Sequence, residues 1–160
     1  MEIAKDLPKV DAVFVPVGGG GLVSGIAGYL KSAKPKVQII GCQPAQSPEM
    51  AVSIEQGGII SELISKPTLS DGTAGGIEAG AITFDYCRQW VDRFELLSEK
   101  EIAEALLWFL KNRQMMVEGA AGLALATLLR EKEKWEGKNV VLIVCGRRLS
   151  FEKLKKVIAH

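Results

Sequence analysis

The chain has 160 residues, 48% hydrophobic and 24% charged, with a formal net charge of +1. That is long enough for one domain with a buried core and ordinary for a globular protein. Acids and bases are interspersed, no basic block points to nucleic acid, and no apolar run reaches membrane-spanning length. The opening Met1-Glu2-Ile3-Ala4-Lys5 lacks the basic-then-apolar pattern of a secretory leader. Cys42, Cys87 and Cys145 have no metal-ligand spacing and read as reduced thiols of a cytoplasmic protein. The lone histidine, His160, is the last residue, so histidine catalysis is not expected.

Residues 10–17, with Val10, Ala12, Val13, Phe14, Val15 and Val17, read as a buried strand. Gly18, Gly19, Gly20 and Gly21 follow, and residues 22–33 form a helix that Pro35 stops. Residues 37–42 are a second buried strand, so the first third of the chain is a βαβ unit with parallel strands. A short helix is expected over 47–56, ending at Gly57-Gly58. Residues 59–80 are rich in Gly, Ser and Thr with few periodic cues, long for a structureless connection. A helix over 83–90 and a short extended piece over 94–97 come next. Ser98-Glu99-Lys100-Glu101 is a capping box before Ile102, Ala105, Leu106, Phe109 and Leu110, spaced as one helix face. Residues 118–129 are apolar almost all round, as in a helix packed on several sides. Residues 140–145 read as a third buried strand that Gly146 ends, and Ser150 caps a last helix over 151–158. The expected fold is a three-layer α/β domain, residues 1–160, with a mostly parallel sheet.

The glycine cluster carries the chemistry. A strand that ends in glycines and opens into a helix can hold phosphate, because bare N–H groups approach an anion and the helix N-terminus adds partial positive charge. Val23 stands where a dinucleotide fingerprint wants a third glycine, and no Gly-Lys-Ser/Thr follows for a P-loop. The expected ligand is therefore a phosphate of another kind; the competing reading is a tight turn without a ligand.

The segment Val15-Pro16-Val17-Gly18-Gly19-Gly20-Gly21-Leu22-Val23-Ser24-Gly25 resembles the phosphate-cradling loop of fold-type II pyridoxal-phosphate enzymes, closest to threonine and serine dehydratases and serine racemase. Thr68-Leu69-Ser70-Asp71-Gly72, Leu97-Ser98-Glu99-Lys100-Glu101-Ile102, Val117-Glu118-Gly119-Ala120-Ala121-Gly122 and Val144-Cys145-Gly146 agree in order and spacing. The resemblance implies the C-terminal part of the tryptophan synthase β-like fold and pyridoxal 5'-phosphate as cofactor. It implies phosphate contacts from the backbone of Gly18, Gly19, Gly20, Gly21 and Leu22, an acid near the pyridine ring at Glu118, and Cys145 facing the pyridine nitrogen. A thiol is a weak partner that leaves the ring unprotonated, which suits loss of a β-hydroxyl. The plainer readings are a helix-dipole acid for Glu118 and a small buried hydrophobe for Cys145.

The implied activity is a threonine or serine ammonia-lyase, with serine racemase or another fold-type II enzyme as alternative and a small amino acid as substrate. In the family the Schiff-base lysine precedes the glycine loop, whereas only 17 residues precede it here, and neither Lys5 nor Lys9 has its context. The chain alone is therefore expected to be inactive, with no catalytic residue of its own, as a truncated piece or half of a split enzyme. A non-catalytic phosphate-ligand module is the competing class. No metal is expected, because Gln43 replaces the family's cation-binding Glu; Ser47 and Glu49 are the secondary candidates. Arg147-Arg148 replaces the Gly-Asn frequent in the family and reads as a solvated basic turn; the competing reading pairs the two arginines with Glu118 or an anion near the cofactor edge. Loss of covering elements predicts a homo-oligomer, domain-swapped or edge-paired.

Overall fold

The computed structural model describes residues 1–60 and 65–159; His160 lies outside them. In chain order the elements are α1 (Glu2–Asp6), β1 (Ala12–Pro16), α2 (Gly21–Ala33), β2 (Gln38–Pro44), α3 (Glu49–Gln56) and α4 (Ile82–Trp90). Then come β3 (Arg93–Leu97), α5 (Glu99–Arg113), α6 (Gly119–Arg130), β4 (Val140–Leu142) and α7 (Phe151–Ile158), with short 3-10 turns at Asp71–Thr73 and Lys132–Trp135. The four strands form a parallel sheet in the order β3-β2-β1-β4.

Alternation along the strands makes the layers. Ala12 and Phe14 of β1, with Ile40 and Cys42 of β2, join a core roofed by α5, α6 and α7. Val13, Val15 and Ile39 point the other way, into a core covered by α2, α3 and α4. Phe14 is fully buried and meets Trp135 edge-on at 5.4 Å between ring centroids. Helix α6 is buried from Gly119 to Thr127, as its all-round apolar pattern predicts. The Ser98 capping box is formed in both directions, with Glu101 N–H donating to Ser98 Oγ and Ser98 N–H to the Glu101 carboxylate. No described helix is long and apolar enough to cross a membrane.

One expectation is corrected. The strand expected over 140–145 is shorter and less buried: β4 covers Val140–Leu142, half-exposed, at the sheet edge. It has β1 on one side and no strand partner on the other among the described residues, which explains the exposure of so apolar a run. Cys145 lies beyond it in extended chain, although the Ile143 N–H still donates to the Phe14 carbonyl at 3.0 Å. The unassigned N-terminus carries α1, whose Ile3 and Ala4 pack with Leu7 at the margin of the core. The segment 59–80 has little regular structure where described, yet Leu69, Ser70, Thr73 and Ile77 are buried in it.

An ion-pair ladder ties β3 to the helices above it. Arg93 bridges Glu95 and Glu131. Arg130 donates to Glu101 at 2.7 Å, to Glu95 at 3.2 Å and to the Leu96 carbonyl at 2.8 Å. Burial alone pushes the Glu101 carboxyl up, but hydrogen bonds from Arg130 and Ser98, with the Arg130 charge, outweigh it and hold the group at about 2. A folded value below the unfolded one, near 4.5, stabilises the fold above pH 4.5 and is lost as pH falls toward 2. Thermal melts followed by circular dichroism should therefore show Glu101→Gln flattening the decline in melting temperature between those pH values.

Candidate functional site

The turn from β1 to α2 is a cup. Val17 N–H donates to the Cys42 carbonyl at 2.9 Å, extending the β1–β2 ladder by one residue before the chain bends away. Gly20 caps α2 with φ +87°, and its carbonyl accepts the Ser24 N–H at 2.9 Å. Thr83 Oγ1 donates to the Gly19 carbonyl at 2.6 Å and anchors the loop from α4. The backbone N–H groups of Gly18, Gly19, Gly20, Gly21, Leu22 and Val23 find no acceptor among the described residues. Orphaned donors at a helix N-terminus are what an anion satisfies.

The four glycines divide into two pairs. A Cβ on Gly18 would press the Thr73 backbone at 3.1 Å, and one on Gly20 would meet Met50 Cε at 2.9 Å, Cys87 Sγ at 3.0 Å and Thr83 Cβ at 3.1 Å. Those two are required by packing. Gly19 and Gly21 have nothing within 4 Å of the equivalent position and line an open cavity of about 220 Å³. Leu22, Gly72, Thr73, Glu118 and Cys145 complete its walls, so the structure brings together every expected cofactor-contacting residue. Gly72 and Thr73 are additional; only the Asp71-Gly72 block hinted at them, and no spacing signal in the sequence marks Thr83.

Glu118 is half-buried at the N-cap of α6, but its side chain accepts no hydrogen bond from the helix. Its carboxylate instead occupies the space beside Gly146, where φ is +80° and a Cβ would collide with it, and lies 3.5 Å from the Cβ position of Gly72. Burial pushes the half-buried Cys145 thiol up, and the Glu118 charge pushes it further. The cavity therefore sets the Glu118 side chain beside a thiol kept in its S–H form, a weak donor. Arg147 and Arg148 are exposed, form no ion pair among the described residues and do not line the cavity.

Ser47 and Glu49 lie outside that cavity lining and are fully buried. Ser47 Oγ contacts both Glu49 oxygens, at 2.7 and 2.8 Å, and Ser65 Oγ donates to the same carboxylate. Gln43 accepts the Ala51 N–H at 2.8 Å, while its buried Nε2 has no partner among the described residues. No group of three or more His, Cys, Asp or Glu suited to a metal occurs among the described residues.

A family model described as pyridoxal-phosphate dependent enzyme matches residues 1–146. The chain belongs to that family. It is 36% identical over 158 residues to an L-threonine ammonia-lyase of Thermotoga maritima, covering 99% of this chain and 39% of that protein. The processed form of threonine deaminase isoform 2 from Solanum lycopersicum superposes with a TM-score of 0.91 at 31% identity, over 99% of this chain and 46% of that one. Maize serine racemase superposes with a TM-score of 0.85 at 28% identity, over 99% and 49%. The chain thus spans less than half the length of each of these relatives. Its parallel α/β architecture is that of the family's fold-type II enzymes.

The glycine division is separable by mutation. Gly20→Ala should destabilise the chain by about 1–3 kcal/mol, since it adds a Cβ to a left-handed residue in a crowded spot. Gly19→Ala should stay within about 0.5 kcal/mol of the parent. Urea unfolding of both variants checks the difference.

Proposed function

We propose that this chain, as one α/β domain, is the phosphate-binding part of an ammonia-lyase that acts on L-threonine or L-serine with pyridoxal 5'-phosphate. The observation that carries the reading is the row of unsatisfied N–H groups from Gly18 to Val23 facing a cavity that Gly19 and Gly21 leave open. Such a donor row suits a phosphate monoester dianion, and the carboxylate and S–H across the cavity suit a heteroaromatic ring. The residues present therefore fit this cofactor.

In this reading the glycine amides and the α2 N-terminus hold the phosphate, and Leu22 and Thr73 wall it from solvent. Glu118 and Cys145 would hold the ring, the thiol as a weak neutral donor to its nitrogen. When bound, pyridoxal phosphate supplies the electron sink for loss of the α-proton and the β-hydroxyl. A protonated thiol does not stabilise a ring cation as a carboxylate does, and that moderates the sink in favour of elimination. No lysine is among the residues that line the cavity. The covalent attachment of the cofactor is assigned to a lysine outside these 160 residues, consistent with relatives of more than twice the length. The likeness to maize serine racemase supports racemisation of serine as a second reading of the same site.

Titration with pyridoxine 5'-phosphate, which has no aldehyde to react with surface lysines, tests the cup. The chain should bind it and ignore pyridoxine. Gly19→Asp, which adds a negative side chain to open space, should weaken binding at least tenfold with an unchanged melting temperature. Equal binding of both compounds removes the phosphate reading. The 160-residue chain alone should form no 2-oxobutanoate from L-threonine; steady turnover sinks the assignment of the lysine elsewhere.

We further infer self-association through the open side of β4, domain-swapped or edge-paired. Support comes from the single strand partner of β4 and the exposed Val144 beyond it. Light scattering at high protein concentration should give at least a dimer mass; a monomer at all concentrations counts against it.

A further inference from the structure

One wall of the cup is held by a contact from the far end of the chain, outside residues 1–146 that match the family model. The wall is the segment 68–73. Its inner side packs tightly: Gly18 faces the Thr73 backbone, and Gly119 is so close to Leu69 and Ser70 that no Cβ would fit. Within it, Thr73 N–H donates to the Ser70 carbonyl at 3.0 Å, and the Ser70 and Thr73 hydroxyls are 2.7 Å apart. A single 3-10 turn, Asp71–Thr73, therefore carries any displacement at residues 69–71 directly into Thr73, a cavity residue.

Two charged side chains grip that segment from outside. Glu99, the first residue of α5, accepts from Thr68 Oγ1 at 2.6 Å and from Leu69 N–H at 2.7 Å, so both its oxygens are committed. Lys153, in the first turn of α7, reaches the Leu69 carbonyl at 3.4 Å and the Asp71 carboxylate at 2.5 Å, bracketing the buried Ser70. Helix α7 is fixed by its Ser150 cap and by the buried Val157. Cys145 forms another wall of the same cavity, so the stretch from Cys145 to Lys153 spans the cup from one wall to the other.

The geometry points to Lys153 as a positioning residue: with Glu99 it clamps the 68–73 segment against the glycine cup, and the last helix thereby sets the affinity for the phosphate-bearing ligand. This rests on the phosphate reading above. The clamp contributes little to global stability, because the Asp71 side chain is 72% exposed and pairs in solvent. Its effect is local. A cavity of about 300 Å³ lined by Thr68, Leu69, Glu99, Lys153 and Lys156 lies behind the segment, which gives released backbone room to move.

Lys153→Met and Lys153→Arg in the full chain test the clamp through two readouts. In the ligand-free protein, hydrogen exchange at the Thr73 and Ala74 amides, bonded to Ser70 and Asp71, should quicken in Lys153→Met and return toward the parent rate in Lys153→Arg. Pyridoxine 5'-phosphate should bind roughly three- to fivefold more weakly to Lys153→Met, with the arginine variant restoring most of the loss. The melting temperature should barely change in either. Unchanged exchange in Lys153→Met overturns the clamp, and faster exchange with unchanged affinity overturns its link to the cup. A parent chain that binds no pyridoxine 5'-phosphate overturns the phosphate reading and the affinity claim with it, while the exchange comparison still decides whether Lys153 holds the segment.

Discussion

The structure turns on six backbone N–H groups, at the end of strand β1, that find no acceptor among the described residues. Gly18, Gly20 and Val23 are buried or half-buried, where an unpaired donor costs free energy, and the helix start has no side-chain cap. The surroundings keep the turn in place regardless. Thr83 holds the Gly19 carbonyl, the Thr73 backbone packs tightly against Gly18, and Met50, Cys87 and Thr83 enclose Gly20. Strand β1 in turn is gripped on both sides, by β2 and β4, with a core on each face. The packing around Gly18 and Gly20 and the Thr83 hydrogen bond thus hold the turn without any ligand.

Around this array the charged groups are sorted by distance. The arginine–glutamate ladder of Arg93, Arg130, Glu95, Glu101 and Glu131 sits where α5 and α6 cross β3 and joins two helices to a strand. Glu118 is kept apart from it, with no cation partner among the described residues. Its field therefore acts on Cys145 and on the cavity rather than being neutralised by the ladder. Cys42 is fully buried, and burial pushes its thiol up to about 12 against the hydrogen bond from Thr127 and the charges of Arg93 and Arg130. That thiol is structural, and Cys145 differs from it in place and exposure.

The sequence made much of this legible because the decisive signals are local. The apolar run through Phe14, the helix after the glycines and the Ser98 capping box each announce themselves within a few residues, and the cup follows from where the strand stops. What escaped notice depends on neighbours distant in sequence. The run at Val140 has the composition of a core strand, and only its place at the sheet edge exposes it. The 68–73 segment has no periodicity: one 3-10 turn aside, it is held by Glu99, Lys153 and the close approach of Gly119, all distant in sequence. The split of four glycines into packing and open pairs is likewise a tertiary fact. The resemblance placed Glu118 and Cys145 near one another; the geometry adds that the carboxylate bears on the thiol.

The strand order also has a temporal meaning. Strands β1, β2 and β3 are neighbours in sequence and can assemble as soon as they exist, whereas Ala12 must wait for Val140 to complete the other side of β1. Until β4 docks, β1 is an open edge of the sheet, and pairing Ala12 with Val140 is a long-range closure that slows folding. Through that interval its apolar face and free ladder groups are open to other chains. Residues 140–158 bring β4, Cys145 and α7 together, so β1 gains its second strand partner and the cup gains its Cys145 wall in the same event.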